Sequence, residues 1–425
     1  MRKTRGFAIG LLLVLALLAG SCTGLPSPSS PPLEQSSPTT AAATQTPQPV
    51  TLTIWHGWQP EFLVAVESIF RGYEAAHPNV KIELVSVPDI GTRIVSAIPG
   101  GEKVDILAFG TEWVGRLAEG KLILPISDYG VSQDFMRSTY IGPAAEAMLY
   151  WGKVWGFPEA VECVTWIYNK ALVSEAELPK NTDELLVKAK EWNAAHPGKF
   201  FFVYPAQSDP YFSGAWWYGA GAYFVKEDGS VGLESEAGLK AARFIAQLHA
   251  IMPQPVDYVA ATALFKGGKA AIIQNGPWFL PELRAAGVDY GLALLPEFDA
   301  TGRAGMPFIS GKALMVTANC SRPDLAVDLI RYFTGAEAQA ALSKANATIP
   351  TNVAAAASAD VQALPDIAHF ARQAALGVPL PSTPYMSGLW DPVTVLLESL
   401  WAGAAPEQAL QTAQAQALKN IAALK

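Results

Sequence analysis

Residues 51–87 read TLTIWHGWQPEFLVAVESIFRGYEAAHPNVKIELVSV, and this stretch sets the class of fold. The four residues 52–55 are typical of a short buried strand. Apolar residues at spacings of three and four then predict an amphipathic helix over 61–76. His77-Pro78 ends that helix, and the alternation over 80–87 predicts a second strand. A strand, a helix and a strand in succession indicate a βαβ unit.

The same alternation of strand and helix continues along the chain. Residues 105–109 are typical of a strand that leads into a helix, and a helix over 183–195 precedes a strand over 200–204. The tetrapeptide Ala-Ala-His-Pro occurs twice, at 75–78 and 194–197, each time between a predicted helix and a predicted strand. We therefore predict an α/β protein with mostly parallel sheets, built as two similar lobes.

The composition of the 425-residue chain excludes several classes of protein. With 30 Lys and Arg against 38 Asp and Glu, the net charge is −8, which does not attract nucleic acid. Charged residues make up 16% and hydrophobic residues 50%, so a mainly disordered chain is excluded. The five histidines show no metal-ligand spacing, and three cysteines cannot build a disulfide scaffold. The length predicts two domains.

The start of the chain predicts export and a membrane anchor. Arg2, Lys3 and Arg5 precede the apolar run 7–18, which is typical of a signal peptide and short for a bilayer span. Ala19-Gly20-Ser21-Cys22 then resembles a bacterial lipobox, in which a signal peptidase cuts before a cysteine that carries lipid. The alternative is an ordinary secretory signal with an incidental cysteine.

The segment after this cysteine is predicted to be a tether. It is rich in Pro, Ser and Thr and carries a single charge, Glu34, so it cannot bury apolar surface. We therefore predict a lipoprotein signal peptide over 1–21, and a lipidated Cys22 with a flexible tether over 22–50. The expected location is the outer face of the bacterial cytoplasmic membrane, periplasmic or at the cell surface.

The motifs of common enzymes are absent from the sequence, including Gly-x-Gly-x-x-Gly, the Walker loop, His-Glu-x-x-His and Gly-x-Ser-x-Gly. Glu159 and Glu162 could suggest a glycosidase pair, but their separation is unconstrained if one lies on a strand and the other in a turn. Cys163 and Cys320 are predicted to be buried free thiols, with a disulfide as the alternative. We expect no catalytic activity, cofactor or metal.

Aromatic residues and carboxylates remain as candidate chemistry, and together they suit neutral sugars. The apolar face of a pyranose can lie on an aromatic ring, and its hydroxyl groups take hydrogen bonds from charged groups. Among the 12 tryptophans, those beside Gly, Pro or polar turn residues are the candidates for a site. Trp216 and Trp217 lie in an apolar run and are predicted to be core, and Trp151, Trp155 and Trp166 are predicted to be structural.

Four short stretches of sequence carry a resemblance to a known family. They are Tyr168-Asn169-Lys170, Asp209-Pro210-Tyr211-Phe212, Asn275-Gly276-Pro277-Trp278 and Met386-Ser387-Gly388-Leu389-Trp390. In this order and spacing they resemble the bacterial maltose/maltodextrin-binding proteins, the receptors of sugar ABC importers, from about Leu52 to the C-terminus. The first and third stretches occur across the extracellular solute-binding proteins, whereas the second and fourth point to binders of oligosaccharides, above all α-glucosides.

The resemblance implies a two-lobed periplasmic-binding-protein fold of type II, with hinge strands between the lobes and a ligand cleft. It implies high-affinity binding of maltose- or maltodextrin-type α-glucosides and delivery to the membrane subunits of an ABC importer, with the protein a monomer. Another oligosaccharide or small polar solute, or a sensor that presents sugar to a membrane signalling partner, stays open. The implied limits are 51–160 and 314–360 for the N-lobe, 165–308 and 366–425 for the C-lobe, and crossovers near 161–164, 309–313 and 361–365.

The resemblance also implies roles for individual residues. The carboxylates that correspond to acceptors of hydrogen bonds from sugar hydroxyls are Glu112, Glu162 and Asp209. The rings that correspond to stacking surfaces are Tyr211, Trp278 and Trp390, and Phe109 stands where the family often has Trp. The whole predicted ligand-binding set is His56, Trp58, Phe109, Glu112, Trp113, Glu162, Asp209, Pro210, Tyr211, Trp278, Tyr385, Trp390 and Asp391.

Three positions depart from the pattern of the family. The loop His56-Gly57-Trp58-Gln59 lacks the charged pair that often follows the first strand. Trp113 replaces an Arg expected after Glu112, and Asp391 replaces a Tyr expected after Trp390. These changes put plain maltose in question and leave longer maltodextrins, cyclodextrins and other disaccharides open. The loss of the Arg also argues against a phosphate ligand such as a glycerol phosphodiester.

Overall fold

The structure is a computed structural model that describes residues 49–58, 60–88 and 90–424, without the side chain of Glu61. The predicted signal peptide, Cys22 and all but the last two residues of the predicted tether lie outside the described residues. Within the described part of the chain, no helix is long and apolar enough to cross a membrane, and no cluster of His, Cys, Asp and Glu could hold a metal ion.

The described residues form strands, helices and short 3-10 turns. The strands are β1 Val50–His56, β2 Val80–Ser86, β3 Ile106–Gly110, β4 Leu149–Tyr150, β5 Lys153–Val154, β6 Phe157–Glu162, β7 Thr165–Asn169, β8 Phe200–Val203, β9 Ala270–Asn275, β10 Tyr290–Ala293, β11 Glu297–Phe298, β12 Arg303–Ala304, β13 Phe308–Val316 and β14 Val378–Pro379. The helices are α1 Pro60–Ala76, α2 Ile90–Ala97, α3 Val114–Glu119, α4 Gln133–Thr139, α5 Gly142–Ala147, α6 Thr182–Ala195, α7 Pro210–Gly219, α8 Glu236–Leu248, α9 Tyr258–Lys266, α10 Leu280–Ala285, α11 Pro323–Phe333, α12 Ala336–Asn346, α13 Val353–Ala357, α14 Ala359–Gln362, α15 Pro365–Ala375, α16 Trp390–Trp401 and α17 Pro406–Ala422. The 3-10 turns are Thr111–Trp113, Ile126–Tyr129, Glu175–Glu177, Pro277–Phe279 and Pro384–Gly388.

The strands form two main sheets of mixed direction. In the first, with the order β14-β13-β3-β1-β2, β1 is parallel to β2 and β3, whereas β13 is antiparallel to β3 and also to β6. In the second, with the order β10-β7-β9-β8, β7 is antiparallel to both neighbours. The expectation of mostly parallel sheets is therefore wrong. The reason is that β13 in the first sheet and β7 in the second run against the direction of the βαβ strands, whereas β6 runs with β3, since both are antiparallel to β13.

Buried apolar side chains form two separate cores. The first core takes its residues from 52–157 and 313–342, and it covers the first sheet. The second takes them mainly from 161–309 and 349–421, and it includes the fully buried Trp216 and Trp217 as predicted. We call the parts of the chain around these cores the N-lobe and the C-lobe. The exact limits of the lobes and of their crossovers stay predictions.

The repeated tetrapeptide forms the same local structure in each lobe. At the end of α1, the ring of His77 stacks on Tyr73 at a centroid distance of 4.0 Å, and its Nδ1 lies 3.0 Å from the Tyr73 carbonyl oxygen. At the end of α6, the ring of His196 stacks on Trp192 at 4.0 Å, and its Nδ1 lies 2.8 Å from the Trp192 carbonyl oxygen. Both histidines therefore close a helix, as predicted from their position before a proline.

The two cysteines of the described chain are buried free thiols, as expected. Cys163 lies between β6 and β7, and burial raises the pKa of its thiol. Burial also raises the pKa of Cys320, to about 12. Buried thiols that keep their proton are typical of structural cysteines.

Candidate ligand-binding site

The C-lobe contributes a wall of aromatic rings. Trp278 lies in the 3-10 turn directly after β9, and 36% of its surface is exposed. Tyr211 lies in the first turn of α7, and its ring centroid is 6.2 Å from that of Trp278. The structure thus brings together two rings that the sequence assigned to the site. Rings with an open face can take the apolar face of a sugar.

The backbone before Trp278 leaves room for its indole. A Cβ on Gly276 would overlap the six-membered ring of Trp278, so only glycine lets the ring lie over this peptide. The amide of Gly276 donates a hydrogen bond of 2.8 Å to Oδ1 of Asn275, which fixes the turn. The Asn-Gly-Pro sequence therefore keeps Trp278 at the surface.

Asp209 caps the helix that carries Tyr211. Its Oδ1 accepts hydrogen bonds from the amides of Tyr211 at 2.9 Å and Phe212 at 3.2 Å, as an N-cap residue does. Burial raises the pKa of Asp209, and the two amide bonds oppose the rise. Pro210 is buried at the first position of α7, where a proline fits without loss of a hydrogen bond. Asp209 thus has a structural role beside its predicted ligand contact.

The hydroxyl of Tyr211 reaches the first sheet. Its oxygen lies 3.1 Å from Oγ of Ser310 on β13. Ser310 pairs with Glu162, an exposed residue at the end of β6. Side chains of paired residues lie on the same side of a sheet, so Glu162 and Tyr211 open towards the same region.

Glu112 is the second carboxylate near this region. It lies in the 3-10 turn that follows β3. Burial raises the pKa of Glu112, and the negative charge of Glu162 raises it further. The two predicted acceptors therefore lie within electrostatic reach of each other.

Phe109 and Trp113 form a half-buried aromatic pair in the N-lobe. Their ring centroids are 5.2 Å apart. A Cβ on Gly91 of α2 would lie 2.6 Å from Trp113 Cζ2, so the indole packs against the backbone of that helix. The guanidinium carbon of Arg116 lies 4.8 Å from the centroid of the Trp113 ring. A cation is thus present beside Trp113, one helical turn after the position where the family pattern has Arg.

The loop after β1 folds into the N-lobe core. His56 is 1% and Trp58 4% exposed, and their rings stack at 4.9 Å. The indole of Trp58 contacts Phe70 and Phe333, at centroid distances of 6.3 and 5.7 Å. Neither predicted ring offers a free face to a ligand in this conformation. Their role in binding stays a prediction, whereas their packing role is clear.

The remaining predicted residues lie at the start of α16. Tyr385 is in the 3-10 turn before this helix, and Trp390 is its first residue. Both are half-buried against the C-lobe core, and Asp391 is exposed in the first turn. Among the described residues, Trp390 makes no ring contact with Trp278 or Tyr211. Their contact with a ligand also stays a prediction.

Two charged residues outside the predicted set lie under the loop after β1. Oε1 of Glu159 accepts a hydrogen bond of 2.8 Å from Nε1 of Trp58, and this glutamate is only 5% exposed. Burial raises the pKa of Glu159 to about 7, and the charge of Lys312 and the bond from Trp58 oppose the rise. Burial lowers the pKa of His56, and Lys312 lowers it further. No local sequence signal marks Lys312 as a site residue. Its link to the site comes from the strand register, because it follows Ser310 by two residues on β13.

Residues 68–369 match the family of bacterial extracellular solute-binding proteins. The chain belongs to this family. It is 28% identical over 378 residues to a maltotriose-binding protein of Pyrococcus abyssi, a match that covers 87% of this chain and 82% of the relative. It is 26% identical over 394 residues to a galactooligosaccharide-binding protein of Bacillus subtilis, with 88% of this chain and 90% of the relative covered.

A solved structure confirms the fold of this solute-binding protein. A cyclo/maltodextrin-binding protein in complex with maltotetraose superposes with a TM-score of 0.81 at 27% identity. The match covers 90% of this chain and 100% of that chain. The fold is therefore the two-lobed type II fold of periplasmic binding proteins, as the resemblance implied.

A separate groove of this solute-binding protein contains none of the predicted site residues. It has a volume of about 640 Å³ and lies between the β4–β5 hairpin, residues 218–228 and residues 378–383. Trp151, predicted to be structural, is 57% exposed here at the tip of the hairpin. Its Nε1 donates to Oε1 of Glu119 at 2.9 Å.

Proposed function

We propose that this protein binds neutral oligosaccharides outside the cytoplasm, above all maltodextrin-type chains of α-linked glucose, and delivers them to an ABC importer. The observation that carries the proposal is the open ring of Trp278 beside Tyr211, with Glu162 near the hydroxyl of that tyrosine and Glu112 within electrostatic reach of Glu162. Further support comes from the relative named for maltotriose and from the neighbour that holds maltotetraose.

The energetics of such a site are sufficient for tight binding. A micromolar dissociation constant corresponds to about 8 kcal/mol. A ring against a sugar face contributes on the order of 1 kcal/mol beyond the area it buries. A hydrogen bond to a charged group contributes about 1.5–3 kcal/mol. Three rings and three carboxylates therefore reach this range.

The proposal includes no bond-breaking step. A glycosidase needs two carboxyl groups that flank one glycosidic bond. Glu159 is buried and bonded to Trp58, whereas Glu162 is exposed at the end of its strand. Because Glu159 is buried, it cannot flank a bound glycosidic bond together with Glu162, which favours binding over hydrolysis, with the lobes closing on the sugar by hinge bending. Long incubation with maltodextrin should release no reducing ends.

The lipid anchor on Cys22 belongs to the same proposal. An anchored receptor stays close to the membrane subunits that accept its ligand, and the tether lets it reach them. The Cys22→Ser variant should lose lipid, which mass spectrometry of the purified protein would show. If the wild-type protein carries no lipid, the sequence is an ordinary secretory signal. A membrane signalling partner instead of a permease would make the protein a sensor.

Calorimetric titration of the purified protein tests the substrate class. The panel contains maltose, maltotriose, maltotetraose, a cyclodextrin, a galactooligosaccharide and β-linked cellotriose as a control. We expect saturation by α-glucosides, with chains of three or more units ahead of maltose. Saturation by cellotriose alone, or by no member of the panel, would overturn the proposal.

A galactooligosaccharide is the second candidate ligand. The observation that favours it is the Bacillus subtilis relative of that name, which matches this chain over 394 residues at 26% identity. Binding of the galactooligosaccharide with no response to α-glucosides would establish this alternative within the same fold.

A further inference from the structure

Lys312 and Ser310 lie on the same face of β13. Residues two apart in a strand point to the same side, and Ser310 and Lys312 both pair with β6 before the register shifts between Lys312 and Ala313. Ser310 meets the hydroxyl of Tyr211 at 3.1 Å, so this face of the strand borders the aromatic wall. Lys312 in turn pairs with Gly110, two residues before Glu112. The lysine therefore lies beside the proposed cleft.

The ammonium group of Lys312 has no bonding partner in the described structure. The residue is half-buried, and its Nζ lies 5.9 Å from the ring centroid of Phe62. Among the described residues, no carboxylate comes within 4.0 Å of this Nζ, and no oxygen accepts a hydrogen bond from it. Its Nζ is not among the enclosed polar atoms that lack a partner, so the three donors of the ammonium group are open to a ligand.

Glu159, the carboxylate on which the charge of Lys312 acts, also lacks a hydrogen-bond partner for one of its two oxygens. Oε2 of Glu159 is buried and has no hydrogen-bond partner among the described residues, although Oε1 takes the proton of the Trp58 indole. The ring of His56 stacks on Trp58 at a centroid distance of 4.9 Å. Lys312 thus pairs with the residue next to this buried acid, and its charge acts on Glu159 while its donors stay available.

We infer that Lys312 is a ligand-binding residue of the N-lobe, whose ammonium group donates hydrogen bonds to hydroxyls of the bound oligosaccharide. The inference rests on the proposed function, since it names a further contact in the same cleft. Glu159 is buried and does not touch the sugar in this arrangement; its charge attracts the ammonium group. The N-lobe then contributes a cation from β13, far along the chain from the uncharged loop after β1.

The test is calorimetric titration of Lys312→Met with the sugar that the wild-type protein binds most tightly. Methionine keeps the stem that packs near Phe62 and removes the donors. We expect the dissociation constant to rise at least tenfold, with partial recovery in Lys312→Arg. The matched control is Lys344→Met, which removes an exposed lysine of α12 that pairs with Asp360 at 3.3 Å, and its affinity should not change.

A double variant separates ligand contact from charge balance. Lys312→Met with Glu159→Gln leaves no uncompensated buried acid, so this protein should fold even if the single variant does not. We expect it to bind as weakly as Lys312→Met. Wild-type affinity in either protein would overturn the inference, because the lysine would then only neutralise Glu159. A wild-type protein that binds no sugar of the panel would instead overturn the proposed function, and the lysine contact with it.

Discussion

Two tryptophans that each follow a strand, one in each lobe, have opposite surroundings. In the C-lobe, Trp278 lies against a glycine backbone and keeps an open face, whereas in the N-lobe, Trp58 turns into a pocket of Phe70 and Phe333. Both tryptophans follow a strand and a glycine in the sequence. The difference shows that the surroundings of a ring, rather than its position after a strand, determine whether it can serve a ligand.

Trp58→Ala should destabilise the protein more than the corresponding change at Trp278 in the other lobe. Removal of a buried tryptophan leaves a cavity, and we expect the free energy of unfolding to fall by about 3–5 kcal/mol. Trp278→Ala, as the matched control, should lower it by less than Trp58→Ala does, because more than a third of this side chain is already exposed. Urea denaturation measures both. Equal losses in the two variants would contradict the comparison.

Glu159→Gln should remove a pH dependence of the stability of the N-lobe. The folded protein keeps the proton of Glu159 up to a pKa of about 7, whereas the unfolded chain loses it near 4.5, so stability falls as the pH rises between these values. The loss amounts to about 3 kcal/mol, from 2.5 pKa units at 1.36 kcal/mol each. The glutamine variant should not show it, although its Oε1 can still accept the bond from Trp58.

Denaturation of wild type and Glu159→Gln at pH 5 and pH 8 measures this effect as a difference. Burial lowers the pKa of His369 to about 4, which gives the opposite slope below pH 6.5. That contribution is the same in both proteins and cancels when they are compared. A constant difference at the two pH values would show that Glu159 ionises freely in the folded protein.

Trp278→Ala should weaken sugar binding at least tenfold, because it removes the open ring of the C-lobe wall. A tenfold change corresponds to about 1.4 kcal/mol, which a stacked ring can supply. Calorimetry gives the dissociation constant, and Trp278→Phe should retain part of the affinity. Unchanged binding in Trp278→Ala would remove this wall from the site.

Ser310→Ala should have a small effect, because it removes one hydrogen bond between β13 and Tyr211. We expect a change of about 1 kcal/mol in the free energy of unfolding. Tyr211→Phe removes the same bond from the other side, so a double-mutant cycle isolates the coupling. Additive losses would show that the two hydroxyls do not interact in solution.

The regular parts of the fold followed from sequence patterns. β1, α1 and β2 lie within two residues of their predicted limits, since an amphipathic helix between two apolar strands has a clear periodicity. The direction of β13 could not be predicted in this way. Strand pairing between distant segments depends on the whole topology, and the crossover was expected only near 309–313.

The candidate site was predictable where local sequence controls exposure. The turn Asn275-Gly276-Pro277 placed Trp278 at the surface, and the structure agrees. Trp58 and Lys312 were not predictable, because their surroundings come from segments more than 100 residues away. Asp209 shows a further limit of prediction from sequence. An aspartate suits both the N-cap of a helix and a contact with a sugar hydroxyl, so the residue type does not distinguish the two roles.

The exposure of the tryptophans has an optical consequence. Among the described tryptophans, Trp151 and Trp278 have the most open side chains, at 57% and 36%. Water-exposed indoles emit at longer wavelength than buried ones, so these two should dominate the red edge of the intrinsic fluorescence. Trp151 lines a groove apart from the proposed site, and Trp278 lies in it. One indole would report the ligand while the other serves as an internal reference, without any added dye.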